Sequence, residues 1–222
     1  MTWTLVQLSD ERVTTRMPVA DRRTQLVDAA LEVAAQDGIA GTTVRRVAER
    51  AGVALGVVHY CFADKDELFA ALAARIVDSL AGAGTAGLEF DTAPDLATAL
   101  DAAVTSLWGT IEATPGEQLL SYEITTHALR HRELRSVADR QYAVSQRAVE
   151  QVLELAAAVS GATWTMPVPE LAAETLAFVD GVTLRWLVDG NSAAARGRLA
   201  SFGGYLATHA RRRRGRVRTL AR

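Results

Sequence analysis

Cysteine is nearly absent from the chain. Cys61 stands alone, so no intramolecular disulfide can form, a cysteine-based zinc site is excluded, and a reducing cytoplasmic setting is expected. Lysine is equally scarce: Lys65 is the only one, and every other fixed cation is arginine. With a formal net charge of −2, bulk basicity offers no argument for nucleic-acid binding. No apolar run approaches the roughly 18 residues that a bilayer span needs, so no membrane partner is expected. Residues 1–20 carry Asp10 and Glu11 but no apolar block, which reads as a flexible N-terminal arm and not a signal peptide.

Signs of enzymatic chemistry are missing too. There is no glycine-rich phosphate loop and no nucleophile–base pair. Of the four histidines, only His127 and His131 fall four apart. They straddle an expected helix boundary and lack a third ligand, so neither metal nor cofactor is expected, and no catalytic residue.

What the chain has in quantity is apolar residues, 49% against 23% charged, enough for a substantial core. Their spacing is helical nearly throughout, with no sustained period of two that would argue for a sheet. A first helix is expected over about 22–36, stopped by Asp37-Gly38. A second, short one follows Thr42, with Val44, Val47, Ala48 and Ala51 on one stripe. Ala54 to Tyr60 give a third, and Asp64-Lys65-Asp66-Glu67 opens a fourth in the manner of a capping box. The run Ala81-Gly-Ala-Gly-Thr-Ala-Gly87 reads as a linker. Beyond it helices are expected at about 94–113, 115–129, 131–159, 169–189 and 192–213. The result is an all-α fold of about nine helices: an N-terminal three-helix helix-turn-helix domain (21–66) and a C-terminal helical bundle (67–210). An arginine-rich flexible tail (211–222) follows, with seven cations and no acid, against 15 acids and eight cations in residues 81–210.

Two short helices joined by Ala51-Gly52-Val53 are the parts of a helix-turn-helix. If Val44, Val47 and Ala48 pack inward with Val53, Val58 and Phe62, then Leu55, Gly56, Val57, His59 and Tyr60 face outward. A short helix held rigid and exposed in this way suits a major groove. Thr42 and Thr43 at one helix start and Lys65 at another are candidate phosphate contacts. Arg45 can reach a phosphate or a guanine edge. Leu55 and Val57 offer only apolar contact, so hydrogen bonding to bases falls mainly to Arg45 and Tyr60.

The stretch Asp21 to Leu72 resembles the DNA-binding domain of TetR-family repressors. The likeness is sharpest in Gly38-Ile-Ala-Gly-Thr-Thr-Val-Arg-Arg-Val-Ala-Glu-Arg-Ala-Gly-Val53 and in Val58-His-Tyr-Cys-Phe-Ala-Asp-Lys-Asp-Glu-Leu68. It covers about 50 residues, with turn glycine, aromatic pair, phenylalanine and lysine at the family's spacing. Tyr60 matches, whereas His59 stands where the family often has tyrosine and Cys61 where it has tyrosine or histidine. Val179 to Asp189 is similar to the penultimate helix of the branch that includes BetI-type regulators. The resemblance implies a homodimer on a double-stranded DNA operator, released by a small-molecule effector. A non-specific architectural DNA binder using the arginine tail is the alternative.

Two further expectations concern the C-terminal part. Trp108, Tyr122, Glu123, Thr126, His127 and Trp186 are candidate effector contacts, an aromatic and acidic set suited to a lipophilic cation. Phe178, Val182, Phe202, Gly203 and Leu206 lie on two helices that look built to pair with a second copy, giving a dimer interface.

Overall fold

The first helix, α1 (Val19–Gly41), forms on the expected stripe, burying Leu26, Val27, Ala30, Leu31 and Ala34. The computed structural model describes residues 17–212. The arm expected over 1–20 therefore lies outside the described residues as far as 16, and the chain is helical from Val19.

Gly38 breaks the regular geometry of α1 with φ of 68°, a conformation that favours glycine, and one more turn carries the chain to Gly41. The kink leaves the Gly38 carbonyl without its helical partner. Thr42 supplies one, its hydroxyl donating at 2.8 Å while the residue is 1% exposed. The cap of α2 (Val44–Ala51) is consequently Thr43, one residue later than expected, whose Oγ1 accepts from the Arg46 N–H. Gly52, in the left-handed region, ends α2. The short α3 (Leu55–Cys61) follows.

In α4 (Lys65–Ala86) the capping expectation is met: Asp64 Oδ1 accepts from the Glu67 N–H at 2.8 Å, and Glu67 Oε2 accepts from the Ala63 N–H at 2.8 Å. This helix continues through 81–86, so the linker expected there is replaced by regular helix. The glycines serve packing. Gly84 is buried, and a Cβ on it would stand 3.1 Å from Val152 Cγ2 of the helix Arg135–Ser160, so a small residue lets the two helices lie close. By length and composition α4 is also apolar enough to cross a bilayer, the one such helix among the described residues. Here it is a core helix, burying Leu68, Phe69, Leu72, Ile76 and Val77.

The C-terminal part is built from α5 (Leu96–Ala113), α6 (Pro115–Arg130), α7 (Arg135–Ser160), α8 (Val168–Asp189) and α9 (Ser192–Thr208). A 3₁₀ turn over Arg132–Leu134 leads into α7, and Pro115 sits in the first turn of α6, where its missing N–H costs nothing. One departure from an all-helical reading is a short antiparallel ribbon of β1 (Ala162–Trp164) and β2 (Ala210–Arg212), pairing Ala162 with Arg212 and Trp164 with Ala210. Three residues a side are too few to show a period in sequence. The ribbon ends α9 five residues before the expected 213 and draws Arg211 and Arg212 out of the tail; the rest of the tail lies outside the described residues.

The apolar core under α1–α4 does not stop at that domain. It includes Leu120, Ile124 and Ala128 of α6 and Val137 and Ala138 of α7. A second cluster joins α5, α7, α8 and α9 through Leu100, Leu153, Leu171 and Leu206. A third surrounds Trp108, Ile111, Val182 and Trp186.

Candidate nucleic-acid interface and effector cavity

Packing, not intrinsic propensity, holds α3 in place, since seven residues are too few for a helix to be stable alone. Val58, Cys61 and Phe62 are buried against Val47 and Ala48 of α2 and Leu26 and Ala30 of α1. On the opposite side Tyr60 is 70% exposed, and Leu55, Gly56 and His59 are exposed with it. Val57 is only half outward, packing partly against the core. Cys61 is buried at 5% exposure, which removes its thiol from the reading face.

The cations around this face divide into committed and uncommitted groups. Arg23 donates to the Cys61 carbonyl and to Glu67 Oε1 and lies over the Phe62 ring. Arg46 bridges Asp37 and the Gly41 carbonyl, and Arg50 pairs with Glu32. Arg45, by contrast, is 82% exposed and meets only Glu49 one turn on, at 3.0 Å. Two of the expected phosphate contacts have partners within the protein. Thr42 is buried, its hydroxyl spent on Gly38. Lys65 Nζ donates to the Ile39 carbonyl at 3.0 Å and stands 5.0 Å from the Phe69 ring centroid, so its ammonium ties α4 to the α1–α2 turn. Thr43 remains exposed at the start of α2.

The aromatic and acidic cage expected from Trp108, Tyr122, Glu123 and Trp186 does not assemble. Trp108 and Trp186 pack edge to face at 5.2 Å within the core, the first 1% exposed. Trp186 Nε1 donates to Ser192 Oγ, while Trp108 Nε1 is buried with no partner among the described residues. Glu123 points the other way along α6: its Oε2 accepts the Ile39 N–H at 2.9 Å, and a Cβ on Gly38 would stand 2.8 Å from that same oxygen. Thr126 is exposed and bonded to its own helix, and the His127 ring meets His131 at 4.5 Å. Tyr122, Glu123, Thr126 and His127 share α6 but occupy different faces of it, while Trp108 and Trp186 come from α5 and α8.

Of the expected set, Tyr122 alone lines a cavity. An apolar chamber of about 140 Å³ lies between α4, α5, α7, α8 and α9, walled by residues such as Leu100, Leu107, Val152, Leu176 and Phe202. It adjoins a polar pocket of about 70 Å³ with which it shares Val77, Leu80, Ser145, Leu176 and Val179. The polar pocket is lined by Gln118, Tyr122, Thr125, Gln141, Tyr142 and Asp180. Asp180 Oδ2 accepts from the Tyr142 hydroxyl at 2.9 Å, and the Tyr122 hydroxyl donates to the Asp180 carbonyl at 3.1 Å. Burial raises the Asp180 carboxyl above the ordinary aspartate range, opposed by the two tyrosine hydrogen bonds. Burial, followed by the Asp180 charge, pushes Tyr142 up to about 12. Asp180, Tyr142 and Gln141 were missed in sequence. The available signal was a carboxylate set inside the apolar run Val179-Asp180-Gly181-Val182.

The expected dimer residues also need correction. Val182 and Leu206 are buried within the protomer, and Gly203 is buried against Leu100. Phe178 and Phe202 are half-exposed and stack at 4.3 Å. The outward face of α8 and α9 carries instead Gly181, Leu184, Val188, Gly197, Gly204 and Tyr205, with Leu184 and Val188 50% and 78% exposed. A Cβ on any of these three glycines would meet nothing within 4 Å.

Comparison with known proteins agrees with this geometry. The profile of the family described as "Bacterial regulatory proteins, tetR family" matches residues 26–72. Over 174 residues, 78% of this chain and 88% of the relative, the sequence is 26% identical to the HTH-type nicotine-responsive transcriptional repressor HdnoR of Paenarthrobacter nicotinovorans. It is 44% identical over 64 residues to the HTH-type transcriptional regulator BetI of Paraburkholderia phymatum, a match spanning 29% of this chain and 33% of that one. Among solved structures it is similar to the multidrug binding protein EbrR in complex with imidazole, at 28% identity and a TM-score of 0.58, covering 81% of this chain and 93% of the other. EbrR has also been crystallised with proflavin and with ethidium.

Proposed function

From the premise that the chain belongs to the tetR family of DNA-binding transcriptional regulators, which are not enzymes, we propose that it is a homodimeric repressor acting in the cytoplasm. It binds a palindromic operator through one reading helix per protomer and lets go when a small molecule fills the cavity of the C-terminal bundle. Residues 21–66 form the operator-binding unit and 67–210 the effector-binding and dimerisation unit. Thr43, Arg45, Leu55, Gly56, His59 and Tyr60 contact DNA. Leu184 and Val188 of α8 meet the partner copy beside Phe178 and Phe202.

The observation that carries this reading is the double duty of α6. One side of it supplies Leu120, Ile124 and Ala128 to the core on which α1–α3 rest; another supplies Gln118, Tyr122 and Thr125 to the polar pocket. Tyr122 and Glu123 are consecutive, one hydrogen-bonded to a pocket residue and the other to the turn before α2. A ligand that shifts α6 therefore shifts the support of the reading helix. Release follows only if the ligand binds the DNA-incompetent arrangement more tightly than the competent one. Two similar proteins support a ligand-responsive reading, one a nicotine-responsive repressor and the other a multidrug binding protein in complex with proflavin and with ethidium.

In-vitro selection of bound DNA from a random pool, followed by challenge of the selected complex with a compound panel, tests the proposal. Enrichment of a palindrome and its release by at least one compound are expected. Recovery of unrelated sequences in proportion to the pool would overturn it in favour of non-specific binding.

A further inference from the structure

The two chambers differ in chemistry and share one wall, and this sets what the cavity can hold. The larger is lined almost wholly by carbon, with Ser145 and Thr175 its side-chain hydroxyls. The smaller presents amide and hydroxyl groups and one carboxylate, Asp180. No cation lies within ion-pair distance of Asp180 among the described residues; its side-chain partners are the two tyrosine hydroxyls. Tyr142 donates to Oδ2 at 2.9 Å, and Tyr122 shares its one hydroxyl proton between the Asp180 carbonyl at 3.1 Å and Oδ1 at 3.4 Å, so they orient the carboxylate without neutralising it. A charge removed from much of its water and left unpaired is costly, and a bound counter-charge offsets that cost. The titratable groups of the pocket are Tyr122 of α6, Tyr142 of α7 and Asp180 of α8; α4 contributes only Ile76, Val77 and Leu80.

The geometry assigns the cavity to an organic monocation: an ammonium group seated on the Asp180 carboxylate, its aromatic or alicyclic body in the apolar chamber bounded by Leu100, Val152, Leu176 and Phe202. This rests on the effector-binding role of the cavity proposed above and goes beyond it by fixing the ligand's charge, its polarity and the residue that reads it. The carboxylate also acts as a filter. An anion of the same shape meets Asp180 with like charge, and a neutral one leaves it unpaired.

A pair of near-isosteric probes isolates the charge. N-benzylpiperidine is protonated at neutral pH, whereas N-benzoylpiperidine, of similar size, is a neutral amide. Calorimetric titration of the full chain should show the amine binding at least tenfold more tightly than the amide. The variant Asp180→Asn, confirmed as folded by a cooperative melting transition, should lose that preference, through weaker amine binding with amide binding unchanged or stronger. Equal affinity of the native protein for both probes, binding of neither, or an Asp180→Asn variant that keeps the preference would each overturn the assignment. Release of selected DNA is read in parallel. Charge-selective binding without release leaves the site standing and refutes the ligand-responsive repressor, while release by the amide alone does the reverse.

Discussion

Arg45 is the cation of the reading face with the fewest commitments. An exposed ion pair one helical turn apart, like that with Glu49, contributes only about 0.3–0.5 kcal/mol and is easily exchanged for a stronger partner on DNA. Arg45→Ala should therefore leave the melting temperature unchanged and weaken operator binding by about 1–3 kcal/mol, relaxing preference at one base pair if the guanidinium reads a base edge. Titration of the selected operator and of its single-base variants measures both effects. The neighbouring arginines are spent differently, and Glu67 shows how. It accepts from the Ala63 N–H and the Arg23 guanidinium, and these bonds hold its carboxyl below the ordinary glutamate value of 4.5. The unfolded chain thus binds the proton more readily than the folded one. This contribution is complete above 4.5 and is lost as the pH falls through the lower, folded value. Thermal melts in acid should accordingly show Glu67→Gln losing less stability with falling pH than the native protein; parallel pH profiles would show that the Ala63 and Arg23 bonds to Glu67 do not contribute.

Helix α4 shows that local composition can mislead about an element. Seven small residues in a row, three of them glycine, suggest a linker, yet 81–86 is helix because α7 lies against it and Gly84 allows the close approach. Gly82 sits one half-turn away with open space around its Cα. Because the helix is continuous there, Gly82→Ala should stabilise the protein by roughly 0.5–1 kcal/mol, the difference between the two residues in a helix interior. Chemical denaturation checks this, and a flexible linker would show no gain. The ribbon of β1 and β2 is the reverse case, three paired residues a side whose existence depends on α7 and α9 delivering two chain ends side by side. The start of α2 lies between these extremes. A threonine cap was legible, but which of Thr42 and Thr43 serves depended on the kink at Gly38 and the carbonyl it leaves open.

At the scale of the molecule, the outward face of α8 and α9 decides whether two reading helices can act together. Leu184 and Val188 project from it among glycines that leave room for close approach by another helix. The double variant Leu184→Glu, Val188→Glu should run as a monomer by light scattering, and operator affinity should fall about 10²-fold or more, because each half-site is then held without the effective concentration the other supplies. A dimer retained in this variant would move the interface elsewhere. The same scale explains the failed cage. The sequence identified residues of the right chemistry on α5, α6 and α8, but a helix turns 100° per residue, so Tyr122 enters the pocket while Glu123 reaches the DNA-binding domain.

Read alone, the sequence determined the helical class, the five C-terminal helices to within a few residues, and the helix-turn-helix with its buried Val47, Val58 and Phe62. Those features follow from local rules: apolar periodicity, capping residues and turn glycines, each set within a dozen residues. The tertiary structure alone decided which cations are free, where the cavity lies, and that Asp180 with Tyr122 and Tyr142 forms its polar end. These depend on the rotation of each helix about its axis and on contacts between residues far apart in the chain, such as the bond from Ile39 to Glu123 across 84 positions. No local pattern encodes such a pairing, because it arises only when separate helices bury their stripes against one another.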